Sequence, residues 1–242
     1  PLVVQEIDLA PPKAGEVLVK VEACGVCHTD LYTASGADPS GYCDCVLGHE
    51  GAGVVQEIGE GVTSLAVGDH VVCLFSPECG ECVNCKNGKE LRHFMGTSTF
   101  AEYTVMPEIA LAKVNKEASM EAICLLACGA TTGIAAALWK ADVERGSSVA
   151  VFGAGMVGLG AVVGAKMKGA ERIIVVDPSA KRRELAMQFG ATEVIAGGDN
   201  GGDEIIEMTD GLGADYTFEA TGNVGVMGQA VEAARMGWGK CT

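Results

Sequence analysis

The chain has 242 residues, 48% hydrophobic and 20% charged, with a net charge of −15. At roughly 150 residues per domain this fits one large or two modest domains with real cores, and it excludes wholesale disorder. The acidic balance (pI near 4.6) repels a phosphate backbone, so nucleic acid is not an expected partner; no apolar run nears the roughly 18 residues of a membrane span, and residues 1–20 carry no leader-like pattern, so a cytoplasmic protein with no membrane contact is expected.

The first elements in chain order are strands. The run EVLVKVEAC from Glu16 alternates polar and apolar residues, and Pro11, Pro12 and Gly15 before it are turn signals. GAGVVQEIG, VGDHVVCLF, FAEYTVM and ALAKV continue as short β-rich runs, with no long helical period before about Glu117. An all-β, barrel-like first domain is therefore predicted for residues 1–128. From Glu117 the Ala-rich run EASMEAICLLACGATTGIAAALWK reads as helix, and a strand-helix alternation follows to residue 242. SSVAVF, RIIVVD, TEVIA and ADYTFEA are the predicted strands; helices are predicted from Met156, Ala180 and Asn223. That pattern is βαβ, a parallel sheet covered by helices, so residues 129–242 are predicted to form an incomplete Rossmann doubly wound sheet and the chain as a whole to be α/β. Four strands in the order 3-2-1-4 would leave 214–220 as an open edge.

Cysteine usage divides the chain in the same place. Ten of the eleven cysteines precede Gly129, whereas the second half is rich in glycine. In a chain of this size without an export signal, such thiols point to metal or catalysis rather than to a disulfide framework. Cys79, Cys82 and Cys85 form CxxCxxC, a spacing that can fold three thiolates around one ion; tetrahedral structural zinc needs a fourth ligand, and the nearest downstream candidate is His93. Cys27-His28, His49-Glu50 and Cys128 bring soft ligands and a carboxylate from separate segments. One His and two Cys suit a catalytic zinc with an open fourth position, but spacing alone does not join them, and a lone Cys such as Cys128 is more often inert core.

In the second half, Gly153, Gly155 and Gly158 form GxGxxG between a predicted strand and a helix. The first glycine can make the tight turn, the second lets backbone approach a pyrophosphate, and the third lets the helix pack on the strand. Asp177 ends the next strand, where a carboxylate can accept both ribose hydroxyls and repel a 2′-phosphate, which favours NAD over NADP.

The motifs CGVCHTDLYTASGAD, GHEGAGVVQEIGEGV, PECGECVNC, CGATTG and GAGMVG, in that order, resemble those of zinc-dependent medium-chain alcohol dehydrogenases. HTDLYTASGADP and MGTSTFAEYTV most resemble class III, the glutathione-dependent formaldehyde dehydrogenases that oxidise S-(hydroxymethyl)glutathione. The resemblance implies a GroES-like first domain, catalytic zinc on Cys27, His49 and Cys128, and hydride transfer from an alcohol or hemithioacetal to NAD. It further implies that Thr29 accepts the substrate proton, that Asp30 orients the ligand histidine and that Glu50 lies behind the metal. His28 matches a pyrophosphate contact, Thr132 a nicotinamide contact and Arg182 a residue beside the adenine ribose; Tyr32 stands where other classes carry a relay histidine.

Three departures accompany the resemblance. Between Lys89 and Phe94 the chain lacks the family's segment with the fourth structural cysteine and a glutathione-binding arginine. Ser40 replaces a class III glutamate, and the last strands, which build the family's homodimer interface, are missing. A general primary-alcohol dehydrogenase and an inactive zinc- and nucleotide-binding fragment are therefore the competing readings.

Overall fold

The computed structural model describes residues 2–39, 44–75 and 92–242, with the backbone alone at 92 and 93. Cys79, Cys82, Cys85 and Ser40 lie outside the described residues, as does the side chain of His93, and with them the second zinc site expected from CxxCxxC. The chain divides into two compact units, Pro1–Cys128 and Gly129–Thr242.

In the first unit β1 (Glu16–Gly25) leads into a short helix α1 (His28–Ala34), then β2 (Cys45–Val46), β3 (Glu50–Ile58), β4 (His70–Cys73), β5 (Arg92–His93), β6 (Tyr103–Pro107), β7 (Leu111–Val114) and α2 (Met120–Ile123). Five strands form one antiparallel sheet in the order β6-β1-β3-β4-β7, and β2 pairs with β5 apart from it. Alternation along β4 shows why the sheet is stable. Val71 and Cys73 enter a core with Val17, Val19, Val55 and Met106, while Val72 faces the other way toward Ala52, Cys124 and Ala127. Side chains of period two thus bury both faces, each Val contributing about 1.5–3 kcal/mol.

The Ala-rich run is not one helix. It is broken into α2, a 3₁₀ turn at Cys124–Ala127, α3 (Gly129–Ala135) and a π turn at Ala136–Lys140. The break falls at Cys128, whose φ −138° and ψ −84° are outside the helical region. A second departure is α1, a seven-residue helix in a stretch where only strands were predicted; its third residue, Asp30, accepts the Cys27 N–H at 3.2 Å.

The second unit continues with β8 (Ser148–Phe152), α4 (Met156–Lys168), β9 (Arg172–Val176), α5 (Ala180–Phe189), β10 (Glu193–Ile195), α6 (Gly201–Met208), β11 (Tyr216–Glu219), α7 (Val224–Glu232) and β12 (Lys240–Cys241). All strands pair in parallel, in the order β10-β9-β8-β11-β12. The four predicted strands take the predicted order. The open edge at 214–220 is corrected: β12 is a fifth strand that covers β11, with Tyr216 opposite Lys240 and Thr217 opposite Cys241. It escaped prediction because two residues carry no periodic signal, and only hydrogen bonds to β11 define it. Adjacent residues again face opposite cores. Val149, Val151, Ile173 and Val175 pack on one side; Ala150, Phe152, Ile174 and Val176 pack on the other. Near-continuous apolar strands of this kind belong to a parallel sheet buried on both faces. Among the described residues no single helix is long and apolar enough to cross a membrane.

Candidate active site and its relatives

The donors of the first unit converge. Ligand atoms of Cys27, His49, Glu50 and Cys128 all lie within 4.8 Å of one another. Each arrives by a different route: Cys27 from the N-cap of α1, His49 and Glu50 from the start of β3, and Cys128 from the break in the Ala-rich run. A helix continuing through Cys128 would place its side chain by helical period, so the break is what frees this thiol to be aimed independently.

His49 is fully buried and its two nitrogens differ. Nδ1 lies 3.2 Å from Asp30 Oδ1, while Nε2 has no hydrogen-bond partner. A buried imidazole nitrogen without a partner is costly in a finished core, and among two thiols and a carboxylate it is the atom a metal would use. Asp30 is itself buried and also accepts the Gly48 N–H at 2.9 Å, so one carboxylate fixes both the ring and the peptide before it. Phe75 and Phe94 present edge-type contacts to the ring, with centroids 6.0 and 5.8 Å away.

Charge follows the same geometry. The adjacent Cys128 and then His49 overcome burial and hold the Cys27 thiol at about 3. Burial pulls His49 down, but Asp30 and then Cys27 outweigh it and hold the imidazole at about 9. Burial also works against the Asp30 carboxylate, yet His49 and the Gly48 and Cys27 N–H groups bring it below its ordinary value. Other thiols go the opposite way. Burial raises Cys24 and Cys124, and pushes Cys73 up to about 12. Cys27 is thus held in the anionic form a metal requires. These donors fit a zinc ion: soft, anionic, convergent, with one imidazole nitrogen unclaimed.

Gly25 adjoins this cluster and was not singled out in the sequence. A Cβ there would stand 2.1 Å from Glu50 Oε2, so only glycine leaves room for that carboxylate. Thr29 Oγ1 lies 3.5 Å from Cys27 Sγ; Thr29, His28 and Tyr32 are exposed along α1.

In the second unit the glycine turn follows β8 directly. A Cβ on Gly158 would stand 1.8 Å from Gly153 O, so α4 can approach β8 only because residue 158 is glycine. Gly153 has φ +96°, which closes the turn. At Gly155 no protein atom lies within 4 Å of where a Cβ would be, and this residue is the N-cap of the 13-residue α4 with no side chain capping it. Open space before uncapped helical N–H groups fits the phosphates of a dinucleotide. Asp177 sits at the end of β9, 2% exposed, and accepts N–H groups of Ala154 at 2.9 Å and Ser179 at 2.8 Å. A carboxylate has about four acceptor positions, so two remain. Arg182 Nη1 is 3.8 Å from Asp177 Oδ2 and mostly exposed, while Arg183, not singled out in the sequence, donates to the carbonyls of Asp177 and Pro178. Thr132 lies in α3 and is exposed.

Residues 13–116 match the model of the alcohol dehydrogenase GroES-like domain, and residues 156–242 match that of the zinc-binding dehydrogenases. The S-(hydroxymethyl)glutathione dehydrogenase of Photobacterium damsela subsp. piscicida is 49% identical over 271 residues, covering 99% of this chain and 73% of that protein. The enzyme of the same name from Candida maltosa is 46% identical, over 99% of this chain and 71% of that one. Both aligned spans exceed the 242 residues present, so the relatives carry positions inside the matched region that this chain lacks. Among solved structures, the benzyl alcohol dehydrogenase of Acinetobacter calcoaceticus superposes with a TM-score of 0.85 at 37% identity, over 97% of this chain and 70% of that one. The two matched domains and the extent of these identities establish that the chain belongs to the zinc-dependent alcohol dehydrogenase family.

Proposed function

We propose that the chain oxidises S-(hydroxymethyl)glutathione with NAD in the cytoplasm, with catalytic zinc held by Cys27, His49 and Cys128 and Glu50 beside it. The observation that carries this reading is the convergence of those four donors around the unclaimed Nε2 of His49. Zinc bound there would act as a Lewis acid on the substrate oxygen, and NAD would take up the hydride. The chain's own groups do the rest. Asp30 holds the His49 ring by Nδ1, which leaves Nε2 as the donor nitrogen. The Thr29 hydroxyl, next to Cys27, accepts the proton of the substrate hydroxyl and passes it outward along α1, where Tyr32 is exposed. Gly155 and the first N–H groups of α4 take the pyrophosphate, with His28 a further phosphate contact; Asp177 with Arg182 takes the adenine ribose and Thr132 the nicotinamide. A reducing cytoplasm suits the absence of disulfides among the described cysteines.

A general primary-alcohol dehydrogenase is the second reading, supported by the likeness to a benzyl alcohol dehydrogenase and by Ser40. The test is NAD reduction by the zinc-loaded chain with formaldehyde plus glutathione, set against benzyl alcohol or ethanol without glutathione. Turnover that requires glutathione is expected. Turnover of plain alcohols with no glutathione dependence would replace the first reading by the second, and binding of zinc and NAD without turnover of either substrate would reduce the chain to a binding fragment.

A further inference from the structure

Gly48, the residue before His49, is held from two sides, and only one of them is Asp30. Asp30 takes the Gly48 N–H, on the near side of that residue. The Gly48 carbonyl belongs to the peptide plane shared with His49, and it faces the segment 94–100, in which Thr97, Ser98 and Thr99 are buried. Thr97 Oγ1 donates to Gly48 O at 2.9 Å, with Phe94 O also in reach at 3.0 Å. The Thr99 N–H donates to the same Gly48 oxygen at 2.9 Å, and the Phe100 N–H donates to Leu47 O at 2.9 Å. Thr97 is 0% exposed and Thr99 1%, so water cannot replace either donor. Gly48 has φ +93°, and a Cβ there would stand 2.3 Å from Phe100 N, so the two segments touch backbone to backbone. Phe94, at the start of the same segment, contacts the His49 ring.

We infer that Thr97 is a positioning residue for His49: its hydroxyl fixes the Gly48–His49 peptide plane and thereby aims Nε2 at the other donors. This rests on the metal-centre reading above. A carbonyl oxygen has two lone pairs, and here both are used, one by Thr97 and one by Thr99. With both in place the plane cannot rotate; with the hydroxyl gone it pivots about the remaining bond. A backbone tilt of roughly 10° moves a nitrogen several bonds away by more than the roughly 0.5 Å that a preorganised site tolerates. Neither zinc-ligand spacing nor residue type marks Thr97, because it touches no ligand atom and acts only through the Gly48 carbonyl.

The experiment compares Thr97→Val, Thr97→Ala and Thr97→Ser with the parent chain and with His49→Ala. Zinc affinity is measured by chelator competition, the visible spectrum is recorded after substitution with cobalt, and the melting temperature of the metal-free chain is recorded alongside. His49→Ala identifies the ion bound at this site. Thr97→Val should bind that ion about tenfold more weakly and shift the cobalt bands, Thr97→Ala should do the same, and Thr97→Ser should return to within about threefold of the parent. Parental affinity and spectrum in Thr97→Val, beside a loss in His49→Ala, would overturn the role of Thr97 alone. No loss in His49→Ala would overturn the metal-centre reading itself. A fall in affinity matched by the same fall in metal-free melting temperature and not rescued by serine, or failure of both the valine and alanine variants to fold, would make the hydroxyl a folding contact and also overturn the inference.

Discussion

Two glycines three residues apart in the turn after β8 should respond in opposite ways to the same added methyl group. At Gly158 a Cβ would lie 1.8 Å from Gly153 O and 2.9 Å from Gly153 C. A carbon and a carbonyl oxygen do not approach within about 3.3 Å, so α4 and the turn must separate by roughly 1.5 Å. The obstacle is backbone and cannot rotate away, which places the cost at or above the upper end of the about 1–3 kcal/mol typical of overpacking. In a unit of this size that is a fall of about 10 °C in melting temperature. At Gly155 the Cβ would meet nothing within 4 Å, and φ −77° with ψ −173° suits any residue. Replacing an N-cap glycine by alanine costs roughly 0.5–1 kcal/mol, and restricting the unfolded chain returns about 0.4–1 kcal/mol, so Gly155→Ala should fold as well as the parent.

Dinucleotide binding separates the two in the other direction. The methyl of Gly155→Ala occupies the open space at the uncapped start of α4, and NAD affinity should fall at least about tenfold, equivalent to about 1.4 kcal/mol. Zinc binding should be unchanged, since the proposed metal donors belong to the first unit. Scanning calorimetry of the zinc-loaded chain, with calorimetric titration by NAD, measures both quantities. Parental NAD affinity in Gly155→Ala would refute the assignment of this turn to a pyrophosphate. A melting temperature as low as that of Gly158→Ala would refute the packing argument.

Asp30→Asn keeps the size of the side chain but removes the anionic acceptor at His49 Nδ1, and should weaken zinc about 10- to 100-fold by chelator competition, while loss of this buried pair also lowers metal-free melting. Asp215 ties the start of β11 to the start of β8 through the Ser148 N–H and hydroxyl and pairs with Arg235 at 2.6 Å; burial opposes its charge, but these partners hold its carboxyl below the ordinary value. A carboxyl whose folded pKa is depressed adds stability above its unfolded pKa of about 3.9 and loses it as pH falls through the folded value. Acid titration should therefore unfold the parent more steeply below about pH 4 than Asp215→Asn, and parallel acid limbs in the two chains would remove Asp215 as a cause.

The parallel sheet was legible because its strands are apolar on both faces and three of the four predicted ones are followed by a turn and a predicted helix, signals contained within a few residues; the helix Gly201–Met208 after β10 was not predicted. β12 was not, since its two residues become a strand only through bonds to β11. The same distinction explains α1. Nothing at Cys27 resembles a customary N-cap, and the residue that starts the helix well, Asp30, was read as a partner of a histidine, which it also is. One carboxylate carrying two duties looks in sequence like a carboxylate carrying either.

At the proposed metal centre, local propensity and function pull apart. The run from Met120 to Lys140 is rich in Ala and Leu, and its intrinsic preference is one helix. The chain departs from that preference at Cys128, the residue whose thiol must meet donors from α1 and β3. A residue set at a break in favourable helix can be aimed by tertiary contacts alone, whereas one inside a helix shares its direction with every fourth neighbour. His49 is freed in the same way: Gly48 before it adopts a positive φ, and bonds from Asp30 and the segment 94–100 decide where the ring points. Residue type and order announce such a site, but the convergence of its donors comes from interruptions of local structure that are set by contacts distant in sequence.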